Sequence, residues 1–266
     1  MNQINKKIVI LGCGWLGKLT GEALIKDGFQ VFGSYRSENS KRDIEKLKIE
    51  PIHLDLQDIS QYSMKFIGDV DYALIMFPPK SSPRYSENLV QLASYFSAKT
   101  KFVFTSSIGV YPKLSGTFNE DSEVLSEKLS PLVSAENKLR KYLKNRITIL
   151  RLGGLFGPNR HPIKYIQGKE FEDDGTTPIN LIHSSDVTKA IRKIIESDSF
   201  GRIYNLVFPD HSQKKEYYSQ AAEKLKLSPP KFGSTPSIDR KINGNRIEAE
   251  TSFRYTFPVS YFTDFE

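Results

Sequence analysis

The stretch KIVILGCGWLGKLTGEALIKDG, from Lys7 to Gly28, is the strongest indication of the fold of this chain. The apolar run Ile8–Leu11 predicts a short buried strand. The spacing of apolar residues then changes to three and four, which predicts a helix over Trp15–Asp27 that stops at Gly28. Three glycines lie between these two elements with the spacing G-x-G-x-x-G, and this strand–glycine–helix context is typical of a dinucleotide site.

Each of the three glycines has its own physical role at such a junction. Gly12 allows the tight turn, Gly14 lets the backbone approach a pyrophosphate, and Gly17 lets the helix pack closely on the strand. The helix N-terminus then faces the phosphate charge. The alternative is a tight turn without a ligand. Trp15 and Leu16 fill two of the variable positions and are assigned to the cofactor site, although packing at the helix start is the favoured interpretation of both.

Strands and helices alternate over the first 152 residues, which predicts parallel crossover units and a sheet covered on both faces. The predicted strands after the first cover 30–36, 51–56, 71–77, 101–107 and 147–152, and the predicted helices cover 41–48, 85–98 and 134–144. The pattern loosens beyond this point. We expect an α/β protein with a Rossmann doubly wound parallel sheet over 1–155 and a smaller C-terminal substrate-binding lobe over 156–266, with some segments returning to the Rossmann core.

Composition limits the function classes. The 266 residues carry a net charge of +7 from 38 basic and 31 acidic side chains, scattered without a nucleic-acid recognition motif. The apolar runs are too short for a membrane span, and the N-terminus shows no signal-peptide pattern. Cys13 is the single cysteine, which excludes an intramolecular disulfide and suits a reducing compartment. We expect a cytoplasmic protein that binds no nucleic acid, membrane or metal, and we interpret Cys13 as a packing residue.

The residues after the second predicted strand distinguish the two nicotinamide dinucleotides. An NAD site usually places an acidic residue there for the ribose hydroxyls. Here the strand ends in Tyr35, Arg36 and Ser37, and no acid is present. Arg36 can pair with a 2′-phosphate and stack on adenine, or it can be an exposed loop arginine. The pattern favours NADP, with NAD as the alternative cofactor.

Three further residues are assigned to the same cofactor site. Asp55 follows the third predicted strand, where its carboxylate could take the adenine amino group or cap the next turn. Leu56 stands beside it. Phe77 ends the fourth predicted strand, which is closed by Pro78 and Pro79.

A series of motifs in order carries a family resemblance: LDL, FVFTSSIGVYP, ILRLGGLFGP, NLIHSSDVTKAI and GRIYNLVFP follow the glycine motif. With them, the chain resembles the extended short-chain dehydrogenase/reductases, a family that includes sugar-nucleotide epimerases and dehydratases. GWLG, GPNRHP and IHSSDV look closest to an atypical YeeZ-like subgroup. The resemblance implies an NAD(P)-dependent epimerase, dehydratase or oxidoreductase that acts by hydride transfer on a small polar or nucleotide-linked substrate. It leaves open a homodimer.

The resemblance also implies a catalytic Ser or Thr, a Tyr and a Lys, of which the tyrosine moves the substrate hydroxyl proton. Ser107 in TSSIGVY matches the serine. The Tyr-x-x-x-Lys segment is matched by SPLVSAENKLRKYL, which can be aligned in two ways. Spacing alone puts Ser134 at the tyrosine and Lys138 at the lysine. Anchoring on the proline puts Leu132 and Glu136 there, so neither alignment supplies a tyrosine.

Two residues are candidates to replace that tyrosine. Tyr111 lies four residues after Ser107 and has a suitable pKa if a cation lowers it, although in the family this tyrosine more often shapes the pocket. His161, on the loop GPNRHP after the sixth predicted strand, can do acid–base work near neutral pH, or it can belong to a surface loop. The missing tyrosine favours a second class of function, a catalytically degenerate NADP(H)-binding sensor or regulatory protein.

Overall fold

The computed structural model describes residues 6–59 and 69–260. Its strands are β1 (Lys7–Leu11), β2 (Gln30–Tyr35), β3 (Glu50–His53), β4 (Tyr72–Ile75), β5 (Lys101–Ser107), β6 (Gly116–Phe118), β7 (Ile147–Leu152), β8 (Gly154–Phe156), β9 (Glu170–Asp173), β10 (Leu181–His183), β11 (Ile203–Leu206), β12 (Lys231–Thr235) and β13 (Arg240–Ile242). Its helices are α1 (Trp15–Lys26), α2 (Glu38–Lys46), α3 (Tyr85–Ser94), α4 (Pro131–Leu143), α5 (Ile163–Ile166), α6 (Ser184–Ser197), α7 (Lys214–Lys224) and α8 (Arg246–Glu250).

Among the described residues, the central sheet has seven strands in the order β11-β7-β5-β4-β1-β2-β3. β1 pairs in parallel with β2 on one side and with β4 on the other, and the chain continues in parallel to β3 and β5. The strand order therefore reverses beside β1, as in a Rossmann-type doubly wound fold. This confirms the predicted fold class. Ligands of such sheets bind beyond the carboxyl ends of the strands at the reversal point, which here lies between β1 and β4.

Burial and close packing explain why the opening stretch folds as it does. Ile8, Val9, Ile10 and Leu11 have no exposed surface, so β1 is a fully buried central strand. α1 packs close to it because a glycine faces the strand. A Cβ atom placed on Gly17 would lie 3.0 Å from Ile10 Cγ2, so a larger residue would push the helix away.

Several predicted element bounds are wrong, and local hydrogen bonds explain two of them. α2 begins at Glu38 rather than at residue 41, because the Ser37 side chain accepts a hydrogen bond from the Ser40 N–H and caps the helix. α4 begins at Pro131 rather than at residue 134, because Ser130 caps it and proline suits the first helical position. β3 ends at His53, so the chain leaves the sheet three residues earlier than predicted.

The chain divides into two compact units. Unit 1 comprises the described residues of Met1–Val110, Leu125–Leu150 and Ile191–Ile203, and unit 2 comprises those of Tyr111–Val124, Arg151–Ala190 and Tyr204–Glu266. The core of unit 1 lies against the sheet and includes Val9, Ile75, Leu89, Phe104 and Leu139. The core of unit 2 is a separate cluster that includes Phe156, Ile163, Leu181, Tyr217 and Ala221.

Candidate functional site

A pocket of about 390 Å³ lies in unit 1 where β1, β2, β3 and β4 end. The predicted cofactor residues that line it are Gly12, Gly14, Tyr35, Arg36, Asp55, Leu56 and Phe77. The other lining residues are Cys13, Ser34, Ser40, Leu54, Pro78, Lys80 and Ser81. Residues from distant parts of the sequence are thus brought to one cavity at the reversal point of the sheet.

The two glycines of the turn differ in their surroundings. Gly12 has φ +91°, a backbone conformation that favours glycine, and an added Cβ would lie 2.7 Å from the backbone nitrogen of Phe77. Gly12 is therefore required by the fold. An added Cβ on Gly14 would meet nothing closer than the Gly12 carbonyl oxygen at 4.0 Å. The space beside Gly14 is open, and it lies at the N-terminus of the 12-residue helix α1, where an anion is favoured.

A buried serine on the neighbouring strand fixes the glycine turn. The Gly12 N–H donates to the Ser34 hydroxyl oxygen over 2.7 Å, and Ser34 is only 4% exposed. Ser34 is a residue whose role in the site was not predicted. A serine on a buried strand is weak sequence evidence by itself, because its partner becomes apparent only from the pairing of β1 with β2.

Four predicted cofactor residues do not line the pocket. Leu16 is buried and Trp15 is half-buried at the start of α1, as the packing interpretation expects. Gly17 faces Ile10 of β1, and Ser37 caps α2. Their direct contact with a cofactor stays a prediction.

The pocket residue Cys13 is also a buried one, and burial raises the pKa of its thiol to about 12. A thiol in this state is a poor nucleophile at neutral pH. The geometry therefore supports a packing role.

Two cationic side chains line the pocket, and only one was assigned from the sequence. Arg36 follows β2, and Lys80 lies on the short 3₁₀ turn Pro79–Ser81 that follows β4. Within residues 6–59 and 69–260, neither side chain makes a hydrogen bond or ion pair. The pocket thus presents two cations that form no ion pair within residues 6–59 and 69–260. The signal for Lys80 in the sequence was its position directly after the two prolines that close the fourth strand.

Asp55 is the one carboxylate among the described residues that line the pocket. Its Oδ1 accepts a hydrogen bond from the Gln57 N–H over 3.0 Å, which caps the turn that follows β3. The turn-capping alternative is therefore observed, while Asp55 also faces the cavity.

The walls of the pocket are tied together by Asn88 on α3. Its side-chain amide donates to the Leu56 carbonyl oxygen over 2.7 Å and to the Ser82 hydroxyl over 2.9 Å. Asn88 is 8% exposed. It connects the segment after β3 to the turn after β4, and it was not predicted from the sequence because a helical asparagine carries no sign of its distant partners.

The end of β5 carries two serines with different contacts. Ser107 is half-buried, and its Oγ accepts a hydrogen bond from the Gly109 N–H over 3.0 Å. Its neighbour Ser106 is buried and donates to Glu136 Oε1 over 2.5 Å. Glu136 is 2% exposed. A buried carboxylate therefore lies where the alignment anchored on Pro131 places the family's lysine.

Lys138 and Ser134 contact a different element. The Lys138 ammonium pairs with Glu87 and donates to the Ser86 hydroxyl over 3.1 Å, and the Ser134 hydroxyl also bonds to Ser86. Ser86 and Glu87 belong to α3. The alignment by spacing alone thus places its lysine in a contact between α4 and α3, and the catalytic role of Lys138 has no support in this geometry.

Tyr111 is held inside unit 2. It is 1% exposed, donates its hydroxyl proton to Asn205 Oδ1 over 2.8 Å, and accepts from the Arg151 guanidinium over 2.8 Å. The expected cation is therefore present. Burial nevertheless raises the pKa of Tyr111 above its usual value, because it outweighs the opposing effect of Arg151. This environment does not produce an acidic phenol, and its catalytic role stays a prediction that burial disfavours.

His161 is also internal to unit 2, with no exposed surface. Its Nδ1 accepts from the Ile163 N–H over 3.1 Å, and its Nε2 lies 2.8 Å from the Tyr217 hydroxyl. Burial, assisted by Lys164, lowers the pKa of His161 to about 4. The imidazole is therefore neutral near pH 7 and is engaged at both nitrogens. The surface-loop interpretation is wrong for this side chain, and its catalytic role stays a prediction without geometric support.

Comparisons with known proteins agree with a dinucleotide-binding fold. The sequence model described as NAD(P)H-binding matches residues 12–198. The chain is 32% identical to the protein YeeZ of Escherichia coli K12 over 273 aligned positions, which cover 95% of this chain and 97% of that protein. The chain belongs to the NAD(P)H-binding family. Within it, this NAD(P)H-binding protein is related to the extended short-chain dehydrogenase/reductases, as predicted.

Two more distant relatives carry named activities. This NAD(P)H-binding protein is 22% identical to a decarboxylating sterol-4-alpha-carboxylate 3-dehydrogenase of Dictyostelium discoideum, over 83% of this chain and 76% of that protein. Its structure resembles that of UDP-glucuronic acid 4-epimerase from Bacillus cereus in complex with NAD, with a TM-score of 0.78 and 20% identity over 98% of this chain and 97% of that one. The likeness to the epimerase shows a shared fold, and the cofactor class is a nicotinamide dinucleotide. Among residues 6–59 and 69–260, no helix is both long and apolar enough to cross a bilayer.

Proposed function

We propose that this protein binds NADP(H) at the glycine turn and acts as an oxidoreductase, epimerase or dehydratase on a small polar or nucleotide-linked substrate. The observation that carries the proposal is the pocket at the reversal point of the sheet, with open space beside Gly14 and the guanidinium of Arg36 in its wall. A bound nicotinamide supplies the hydride transfer, and the protein supplies binding and orientation.

The preference for NADP(H) over NAD(H) is supported by the charges after β2. No acidic residue of this described strand lines the pocket, so no carboxylate there would repel a 2′-phosphate. Arg36 presents a guanidinium, whose planar donors suit bidentate binding of phosphate. Ser40 of α2 also lines the pocket and adds a hydroxyl donor near the same strand.

The substrate class is supported by the relatives. The Bacillus cereus structure is that of an epimerase of UDP-glucuronic acid, a sugar nucleotide. In this chain, Ser107 is the residue proposed to orient a substrate oxygen. It lies at the end of β5, on the sheet edge where β1 and β4 also end. The proton would have to move without the family's tyrosine, because Leu132 or Ser134 stands in its place.

A second candidate function is that of an NADP(H) sensor without catalysis. The burial of Tyr111 and His161 favours it, because neither side chain has surface on which a substrate could be protonated. In the alignment anchored on Pro131, the buried Glu136 stands in place of the family's lysine, which favours the sensor as well.

A screen for turnover distinguishes the two functions. NADPH oxidation would be followed with a panel of carbonyl compounds and sugar nucleotides, using the wild type, Ser107→Ala and the control Ser126→Ala. The enzyme proposal predicts activity that Ser107→Ala lowers about tenfold or more and Ser126→Ala leaves unchanged. Activity that Ser107→Ala does not change would contradict the role of Ser107. Tight NADPH binding without turnover on the whole panel would favour the sensor.

A further inference from the structure

The chain that leaves β4 toward Lys80 lies directly against the glycine turn. A Cβ on Gly12 would be 2.7 Å from the nitrogen of Phe77 and 2.8 Å from the carbonyl carbon of Met76, so the chain leaving β4 touches the backbone at Gly12. Lys80 follows shortly after Phe77 and lines the same pocket as Gly12 and Gly14. The lysine therefore lines the same pocket as the glycine turn, where the family places a pyrophosphate.

The backbone that holds Lys80 is fixed by several contacts. Pro78 and Pro79 restrict the chain before it, and the Ser81 N–H donates to the Pro78 carbonyl oxygen over 2.9 Å. The Tyr85 hydroxyl donates to the Phe77 carbonyl oxygen over 2.7 Å. A cation on a restrained turn loses less entropy on binding than one on a mobile loop, because its backbone is already ordered.

The sheet order separates Lys80 from the other charged groups of the pocket. β4 lies on one side of β1, while β2 and β3, which precede Arg36 and Asp55, lie on the other. The two cations therefore follow strands that lie on opposite sides of β1, the strand that leads into the glycine turn. One phosphate at the ribose and one pyrophosphate at the glycines would each find a cation that has no partner in the described chain.

We infer that Lys80 binds the pyrophosphate of the dinucleotide, whereas Arg36 binds the 2′-phosphate. The inference rests on the proposed function, because it assumes that the dinucleotide occupies this pocket. The two cations then have different roles. Lys80 contributes affinity for any dinucleotide, and Arg36 contributes the choice between NADP(H) and NAD(H).

The test measures the dissociation constants of NADPH and NADH for the full chain by calorimetry. The variants are Lys80→Gln, Arg36→Gln and the control Lys128→Gln, which removes the same charge from an exposed site outside the pocket lining. We expect Lys80→Gln to weaken the binding of NADPH and of NADH by the same factor, about tenfold. Arg36→Gln should weaken the binding of NADPH alone, and Lys128→Gln should change neither affinity. Thermal unfolding of each variant checks that the fold is retained.

Two results would overturn the inference. If Lys80→Gln weakens the binding of NADPH alone, Lys80 contacts the 2′-phosphate. If it changes neither affinity while the wild type binds both dinucleotides, Lys80 contacts no phosphate. Both results leave the proposed function in place. A wild type that binds neither dinucleotide would instead refute the proposed function itself.

Discussion

Among single residues, the two glycines of the turn have different roles: Gly12 is required for folding, and we propose that Gly14 is required for dinucleotide binding. Gly14→Val should leave the melting temperature close to that of the wild type, because an added Cβ would meet only the Gly12 carbonyl oxygen, at 4.0 Å. It should abolish dinucleotide binding by filling the open space. Gly12→Ala should lower the melting temperature, because it places a Cβ 2.7 Å from the Phe77 nitrogen at φ +91°. Thermal unfolding and calorimetric titration check both effects.

The opposite pattern would contradict this division of roles. Binding that survives Gly14→Val at wild-type affinity would show that the phosphates lie elsewhere. A Gly12→Ala protein as stable as the wild type would show that the contact of the turn with β4 is not required.

His161 gives a pH-dependent prediction. Its folded pKa of about 4 lies below its ordinary value of 6.5, so the unfolded chain binds the proton more readily. The stability that neutral His161 provides is full above pH 6.5 and is lost as pH falls toward 4, by at most about 1.4 kcal/mol per pH unit. The wild type should therefore lose stability over this range faster than His161→Gln. Urea unfolding of both proteins at several pH values checks the difference, and parallel profiles would contradict it.

Some site residues could be predicted individually, and others could not. Local sequence was sufficient to predict Gly12, Gly14 and Arg36. The two glycines belong to a motif of fixed spacing, and the cation stands at a fixed place after β2. Lys80 left only a weak signal, its position after the two prolines that close β4, and Asn88 left none, because the role of each depends on which strand ends meet in space. Burial could not be predicted either: the sequence places a hydroxyl at position 111 but gives no sign that a buried network holds it.

At the scale of elements, the pocket depends on how α3 joins two loops. Asn88→Ala should remove the donors to the Leu56 carbonyl and the Ser82 hydroxyl and cost about 1–3 kcal/mol of stability. It should also weaken NADPH and NADH by similar factors, because both walls of the pocket lose their connection. Asn137→Ala, which loses one exposed hydrogen bond to Glu127, is the matched control. Denaturant unfolding and titration check it; unchanged affinity would show that Asn88 supports the fold alone.

Elements with a clear hydrophobic pattern were predicted most accurately. β1, β5 and β7 are buried strands with continuous apolar runs, and the sequence located them closely. β9 and β12 were missed, because their sequences EFED and KFGST are short and largely exposed or half-buried. Strands of this kind depend on pairing with each other, which local propensity does not contain.

For the whole chain, the order of strands and helices along the sequence predicted the architecture. Alternating strands and helices predict a parallel sheet, because parallel neighbours need a crossover connection, and the observed strand order is that of a Rossmann-type fold. The division of the chain into units was harder to predict. Each unit is assembled from separate stretches, and Ile191–Ile203 belongs to unit 1 although Arg151–Ala190 belongs to unit 2. Such returns depend on long-range packing rather than on local composition.

We propose that this pocket binds NADP(H) in preference to NAD(H) through Arg36. Calorimetric titration of the wild type and Arg36→Gln with NADPH and with NADH measures this preference. We predict that the wild type binds NADPH about tenfold or more tightly than NADH, and that Arg36→Gln reduces this difference to about twofold or less. Equal affinity of the wild type for the two dinucleotides, or a preference that Arg36→Gln leaves intact, would contradict it.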